Sequence, residues 1–264
     1  AVAAALVAGG VQPLDHVALL FPNMPQAVIA QFGAWRAGAV AVPLNPLYAE
    51  SELQSALVEC GATAIVVMSQ FTGPIERVQA HVPSIRHVMG IAPDDVTLHA
   101  FAGDSSPGRH LPFVSPADPA LMLFTGGTTG VAKAAVGTHR AIVQSAIQVH
   151  SWFRELITEW TDTLMLAMPL YHIYGNIGTL ATSLVGRNPV VLVPNPRDLD
   201  DLIAYFEQRR PAFLPVVPAL LTSLLNHAGV ASGSVDFSCL KICVSGGSSL
   251  LNETRRRFEA ITGA

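Results

Sequence analysis

A loop rich in glycine and threonine, followed by a lysine, is the segment of this sequence best suited to chemistry. It follows an apolar run at 121–124 and consists of Thr125, Gly126, Gly127, Thr128, Thr129 and Gly130, with Lys133 three residues later. Glycines let the backbone approach a ligand closely, and successive N–H groups in such a loop form a nest that binds anions. Threonine hydroxyls add donors, and lysine adds a point charge suited to phosphate. The pattern therefore indicates a cradle for a polyphosphate.

The spacing of this loop differs from the two commonest nucleotide-binding motifs. The pattern GxxxxGK[ST] places glycine directly before lysine, whereas two residues separate Gly130 from Lys133, and Ala134 follows the lysine. The sequence also contains no GxGxxG. Considered alone, the segment is as compatible with a surface turn as with a nucleotide site, because short motifs often match by chance.

The elements that must position this loop alternate between strand and helix. Short β-branched runs at 17–20, 39–42, 64–68 and 86–89 alternate with helical patterns at 26–36, 50–60 and 71–80. The alternation resumes with strands at 121–124, 164–167, 190–193, 213–217 and 240–244, and with helices from about 140 and at 175–185, 198–209, 219–227 and 250–261. This order predicts an α/β fold with a mainly parallel sheet covered on both faces. A stretch rich in proline and glycine at 92–117 predicts a boundary between two parts.

Composition excludes several classes of protein. Only 13% of the 264 residues are charged and the net charge is −4, which argues against nucleic-acid binding, since such proteins present a basic surface. The two longest segments without charged side chains, 163–186 and 211–235, contain prolines, histidines and asparagines, so a buried strand followed by a helix explains them better than a membrane span. Three cysteines fit a reducing cytosol, so a cytoplasmic location is predicted.

Several motifs in collinear order resemble the adenylate-forming, or AMP-binding, superfamily of acyl-CoA synthetases and luciferases. The segment TGGTTGVAK at 125–133 resembles the phosphate loop of this superfamily. Its exact sequence is most similar to the loop of bacterial long-chain fatty-acid–CoA ligases. The other matching segments are FPNMPQ at 21–26, GAVAVPLNP at 38–46, MPLYHIYG at 168–175, PVVP at 215–218 and SGGS at 245–248. The loop departs from the usual pattern at Gly126, Ala132 and Ala134.

The resemblance implies a layered α/β/α architecture with two similar subdomains, and that the chain is an N-terminal fragment. The first subdomain is expected at 1–110 and the second, with the phosphate loop, at 111–264, without the C-terminal domain. The glutamate that binds Mg²⁺ is expected beyond Ala264, so no metal ligand is predicted within the chain. The isolated 264 residues are accordingly expected not to form a thioester.

The reaction implied by the resemblance joins a fatty acid to coenzyme A at the expense of ATP. Thr125, Gly126, Gly127, Thr128, Thr129, Gly130 and Lys133 would hold the phosphates of ATP, with Mg²⁺ as cofactor. His172 is the implied catalytic residue near the acyl carboxylate, although a structural histidine is also open. The adenine and acyl pocket would be lined by Tyr171, Val217, Gly246, Gly247 and Ser248. A tight turn at the glycines and a core role for Tyr171 stay open.

Two alternatives to a fatty acyl-CoA ligase also stay open. One is an adenylating enzyme for aryl, short-chain or amino acids, since acid choice depends on the shape of the pocket. The other is a non-catalytic nucleotide-binding module, to which the three loop substitutions give weight. The partners implied are the carboxylic acid, ATP and CoA, with no nucleic acid. Peripheral contact with a membrane and a homodimer are both compatible with the sequence.

Overall fold

The computed structural model describes residues 1–95, 111–125 and 133–264. These residues divide into two compact units, Ala1–Ile142 and Val143–Ala264. The predicted α/β class with mainly parallel sheets is confirmed, because nine of the ten strands in the described residues pair in parallel with a neighbour.

The first unit is built on a six-stranded sheet in the order β4-β3-β1-β2-β5-β6. Its strands are β1 His16–Leu20, β2 Val40–Leu44, β3 Ala64–Met68, β4 His87–Ile91, β5 Pro119–Thr125 and β6 Lys133–Thr138. Its helices are α1 Val2–Ala8, α2 Pro25–Arg36, α3 Glu50–Glu59 and α4 Thr72–Gln79. Every residue of β2 and β3 is buried, which explains why these strands are continuous apolar runs rather than alternating ones.

The second unit is built on a four-stranded parallel sheet in the order β10-β9-β7-β8. Its strands are β7 Leu164–Leu166, β8 Val190–Leu192, β9 Phe213–Val216 and β10 Ile242–Ser245. Helix α5, His139–Phe153, contains the boundary between the units. The remaining helices are α6 Ile173–Gly175, a π-helix at Asn176–Ala181, α7 Thr182–Val185, α8 Leu199–Arg209, α9 Pro218–Asn226, α10 Ala228–Ala231 and α11 Asn252–Thr262.

The structure differs from the sequence prediction after the phosphate loop. Residues 133–138, expected to belong to a loop, form strand β6, which runs antiparallel to β5. Strand β5 also pairs with β2, so it extends the first sheet and residues up to Ile142 cluster with the first unit. The division into subdomains at 1–110 and 111–264 stays a prediction.

Membrane-spanning helices were not expected from the sequence. In the three described ranges, no helix combines the length and the hydropathy needed to cross a bilayer.

Cys60 makes the stability of the first unit dependent on pH. Burial raises the pKa of the Cys60 thiol to about 11. Between the thiol's ordinary pKa and this value, the unfolded chain loses a proton that the folded chain keeps, so stability falls as pH rises. We expect wild type to lose about 2 kcal/mol more unfolding free energy than Cys60→Ala between about pH 8 and pH 10.5, measured by urea denaturation. Parallel pH profiles for the two proteins would contradict this assignment.

Candidate functional site

A cavity of about 730 Å³ opens in the second unit. Its volume lies in the range of small-molecule sites. The wall is largely apolar, formed by Ala167, Met168, Pro169, Pro196, Leu199, Val217, Ala219 and Leu220. The polar side chains in the wall are Tyr171, His172, Tyr174, Arg197, Ser223 and Ser248. An apolar cavity with a few polar groups is typical of a site that binds an organic ligand.

The order of the strands explains why the cavity forms at this place. Its wall is made by segments that follow the carboxyl ends of β7, β8, β9 and β10. From β7 the chain crosses to β8 on one side, whereas from β9 it crosses to β10 on the other. The crossovers therefore leave β7 and β9 in opposite directions, which opens a crevice at the carboxyl ends of these neighbours. This is the position at which open parallel sheets bind ligands.

Five of the residues predicted to form the site lie in the wall of this cavity. They are Tyr171, His172, Val217, Gly247 and Ser248. Gly246 lies beside it, because a Cβ added there would be 3.2 Å from Cε1 of Tyr174. The structure thus brings together residues up to 77 positions apart, as Tyr171 and Ser248 are. Their roles toward a ligand stay predictions.

His172 has a defined orientation at the start of α6. It is the N-cap residue of that helix, and its Nδ1 accepts a hydrogen bond from the backbone N–H of Tyr174 at 3.2 Å. A ring nitrogen that accepts is unprotonated, so in the neutral ring the proton is on Nε2. The exposed His172 side chain therefore presents an Nε2–H donor. A donor of this kind can hold a carboxylate or phosphate oxygen.

Tyr174, which belongs to the MPLYHIYG segment at 168–175, also lies in the wall of the cavity. Its hydroxyl donates to the carbonyl oxygen of Val244 at 2.7 Å, which ties α6 to strand β10. Burial raises the pKa of Tyr174 to about 12, so the hydroxyl stays a donor at physiological pH. The ring lies between two glycines, since a Cβ on Gly178 or Gly246 would come within 3.1 or 3.2 Å of it. The spacing of Tyr174 and Gly178, one helical turn apart, is the only sequence signal of this packing.

The turn that carries Tyr171 and His172 is fixed by hydrogen bonds. The backbone N–H of His172 donates to the carbonyl oxygen of Pro169 at 3.0 Å. The buried Asn176 side chain donates from Nδ2 to the carbonyl oxygen of Leu170 at 2.9 Å. Gly247, which also lines the cavity, has a φ of +84°, a conformation that favours glycine. Backbone geometry therefore fixes these two segments of the cavity wall.

Removing the hydroxyl of Tyr174 is expected to weaken the second unit. Tyr174→Phe leaves the carbonyl of Val244 without its donor, so we expect a loss of about 1–3 kcal/mol of unfolding free energy in urea denaturation. Tyr205→Phe is the matched control, because Tyr205 packs on the same core and has no hydrogen-bond partner among the described residues. Equal losses in the two variants would show that the bond to Val244 adds nothing.

The ends of the predicted phosphate loop lie in the first unit. Thr125 ends β5 and Lys133 begins β6, and the two residues are paired across the antiparallel ladder. The Thr125 hydroxyl also donates to the carbonyl oxygen of Lys133 at 3.2 Å. Both side chains are exposed. Gly126, Gly127, Thr128, Thr129 and Gly130 lie outside the described residues, so their placement as phosphate ligands stays a prediction.

Metal-ligating side chains do not gather in the described part of the chain. No group of three or more His, Cys, Asp or Glu residues there is arranged to hold an ion. Mg²⁺ is commonly held by one or two carboxylates together with substrate phosphates and water, so a Mg²⁺ cofactor stays a prediction.

Comparison with known proteins gives a consistent result over the whole chain. A family model described as "AMP-binding enzyme" matches residues 1–264. Long-chain-fatty-acid–CoA ligases from Yersinia pestis and Haemophilus influenzae are 32% and 33% identical over 96% and 94% of this chain. The chain spans about half the length of the curated relatives that it matches, with 50% covered in both cases.

Solved structures agree with these sequence matches. A long-chain-fatty-acid–CoA ligase from Archaeoglobus fulgidus superposes with a TM-score of 0.87 at 25% identity, over 99% of this chain and 52% of that one. ATP-bound MatB from Rhodopseudomonas palustris superposes with a TM-score of 0.81 at 28% identity, over 100% of this chain and 50% of that one.

Proposed function

The chain belongs to the AMP-binding enzyme family, and from this premise we propose that its protein is an ATP-dependent fatty acyl-CoA ligase. In the first step, a carboxylate oxygen of the acid attacks the α-phosphorus of ATP, and pyrophosphate leaves. In the second, the thiolate sulfur of coenzyme A attacks the acyl carbonyl carbon, and AMP leaves. The names of the relatives support the reaction. The apolar cavity of about 730 Å³ in the second unit is the single observation that supports a fatty acid as the substrate.

Different residues would bind the phosphates of ATP, the reacting carboxylate, and the acyl chain and adenine. Lys133 and the loop that begins at Thr125 would hold the phosphates of ATP, because leaving pyrophosphate gathers negative charge that fixed donors stabilise. His172 would donate from Nε2 to the carboxylate or to the α-phosphate, with its ring held by the bond to Tyr174. Tyr171, Val217, Gly246, Gly247 and Ser248 would form the wall against the acyl chain and adenine. A cytoplasmic location, membrane contact and a homodimer stay predictions.

A series of acids of increasing chain length tests this proposal on the complete gene product. Each added methylene that enters an apolar cavity contributes about 0.8 kcal/mol, which is about fourfold in kcat/KM. We expect ATP–pyrophosphate exchange to rise by about this factor per methylene until the cavity is filled, and then to level off.

Other outcomes of the series would replace the proposal. Exchange that is fastest with aromatic, short-chain or amino acids would assign the protein to another acid class. A protein that binds ATP but exchanges pyrophosphate with no acid would be a non-catalytic nucleotide-binding module.

A further inference from the structure

Arg197 lies in the wall of the cavity on a backbone segment of fixed shape. The segment follows β8, and Pro196 beside the arginine also lines the cavity. The Asn195 side chain accepts from the backbone N–H of Arg197 at 3.2 Å, and the Asn195 carbonyl accepts from that of Asp198 at 3.2 Å. This turn leads directly into α8, so the position of Arg197 in the wall is set by the fold.

The positive charge of Arg197 is not balanced by a neighbouring carboxylate. In the described ranges no Asp or Glu oxygen lies within 4 Å of its guanidinium. The adjacent Asp198 instead caps α8, because its Oδ1 accepts from the backbone N–H of Asp201 at 3.2 Å. Asp200 in the first turn pairs with His227 at 3.0 Å. The guanidinium of Arg197 is therefore available to a ligand in the cavity.

Tyr171 is the second polar group on this part of the wall. Its hydroxyl has no hydrogen-bond partner among the described residues. Tyr171 and Arg197 line the same cavity; burial raises the pKa of the Tyr171 hydroxyl, and the charge of Arg197 acts in the opposite direction. Arg197, Tyr171 and Nε2 of His172 are thus three donors in a cavity whose wall contains no carboxylate. Such a donor set is complementary to an anion.

We propose that Arg197, assisted by Tyr171, binds a carboxylate group of the acid substrate and thereby sets the affinity for the acid. The inference rests on the proposed function, because it assumes that the cavity receives the acid. A guanidinium presents two parallel N–H donors that match the two oxygens of a carboxylate. The carboxylate can be the one that reacts or a second one at the far end of a dicarboxylic acid, and both present the same chemistry to Arg197.

Substitutions at Arg197 in the complete gene product test this inference. Arg197→Gln removes the charge and is expected to raise KM for the acid about tenfold to hundredfold, with KM for ATP unchanged, since a hydrogen bond to a charged group is worth about 1.5–3 kcal/mol. Arg197→Lys keeps the charge but lacks the two parallel N–H donors of the guanidinium. Its KM for the acid is expected to lie between those of wild type and Arg197→Gln. Arg209→Gln, at the last turn of α8 and outside the cavity wall, is the control.

Monocarboxylic and α,ω-dicarboxylic acids of equal length distinguish the two carboxylates. If Arg197→Gln raises KM equally for both acids, the arginine binds the reacting carboxylate. If it raises KM for the dicarboxylic acid alone, it binds the distal one. Both results support the inference. The inference is overturned if Arg197→Gln changes KM for neither acid. It is also overturned if KM for ATP rises as much as KM for the acids, because the arginine would then bind a phosphate of ATP. A wild-type protein without acid-dependent exchange would instead refute the proposed function.

Discussion

Replacing Lys133 with alanine is expected to lower kcat/KM for ATP in pyrophosphate exchange by about 10²–10³-fold. Lys133 is exposed and is held opposite Thr125 by the antiparallel pairing of β5 and β6. Its charge therefore stands at the base of the glycine-threonine loop, where phosphate oxygens would gather. Removal of a fixed donor that stabilises charge developing in the transition state typically has an effect of this size.

The chain offers a matched control for this substitution, because it contains only two lysines. Lys241→Ala removes the same charge from the second unit, where the ammonium group pairs with Asp162 at 2.7 Å. That pair is partly exposed, so its loss should cost at most about 1 kcal/mol of stability and leave kcat/KM for ATP within about twofold. If Lys133→Ala is as active as Lys241→Ala, the loop does not bind the phosphates of ATP.

The strands of the second unit could be predicted from the sequence because their apolar runs are unambiguous. Buried parallel strands have no solvent face, so runs such as Leu164–Leu166 and Phe213–Val216 stand out from the polar segments between them. Strand β6 has no such signal: five of its six residues are Lys, Ala, Gly or Thr. It is a strand because β5 offers it a free edge, so pairing with β5 rather than an apolar pattern of its own determines its conformation.

The wall of the cavity could be predicted only in part. Tyr171, His172, Tyr174 and Gly247 lie in motifs that the resemblance identifies, but the hydrogen bond that joins Tyr174 to Val244, 70 residues away, has no local sequence signal. Arg197 is exposed and follows Asn195 and Pro196, a pattern typical of a solvated loop. Only the strand order, which puts β8 beside β7, brings this arginine to the same cavity as Tyr171. Local sequence does not contain that information.

Gly175→Ala is expected to destabilise the second unit by more than about 3 kcal/mol, the range of overpacked or strained positions. A Cβ at Gly175 would lie 2.5 Å from the carbonyl oxygen of Met168 and would overlap that of Pro169. These atoms cannot move freely, because the Pro169 carbonyl accepts from the backbone N–H of His172. Helix α6 therefore packs against the turn so closely that only a hydrogen fits between them.

Urea denaturation of the 264-residue chain measures this effect, with Gly73→Ala as the matched control. A Cβ at Gly73 would meet only the flexible end of Arg77, at 3.4 Å, and alanine favours a helix over glycine by up to about 1 kcal/mol. We therefore expect Gly73→Ala to be neutral or stabilising, whereas Gly175→Ala should unfold at a lower urea concentration than wild type. Because the turn at 169–172 carries Tyr171 and His172, the same variant of the complete gene product should also lose acid-dependent exchange. A Gly175→Ala protein as stable as Gly73→Ala would show that the turn can shift, and the cavity would then be adaptable rather than preformed.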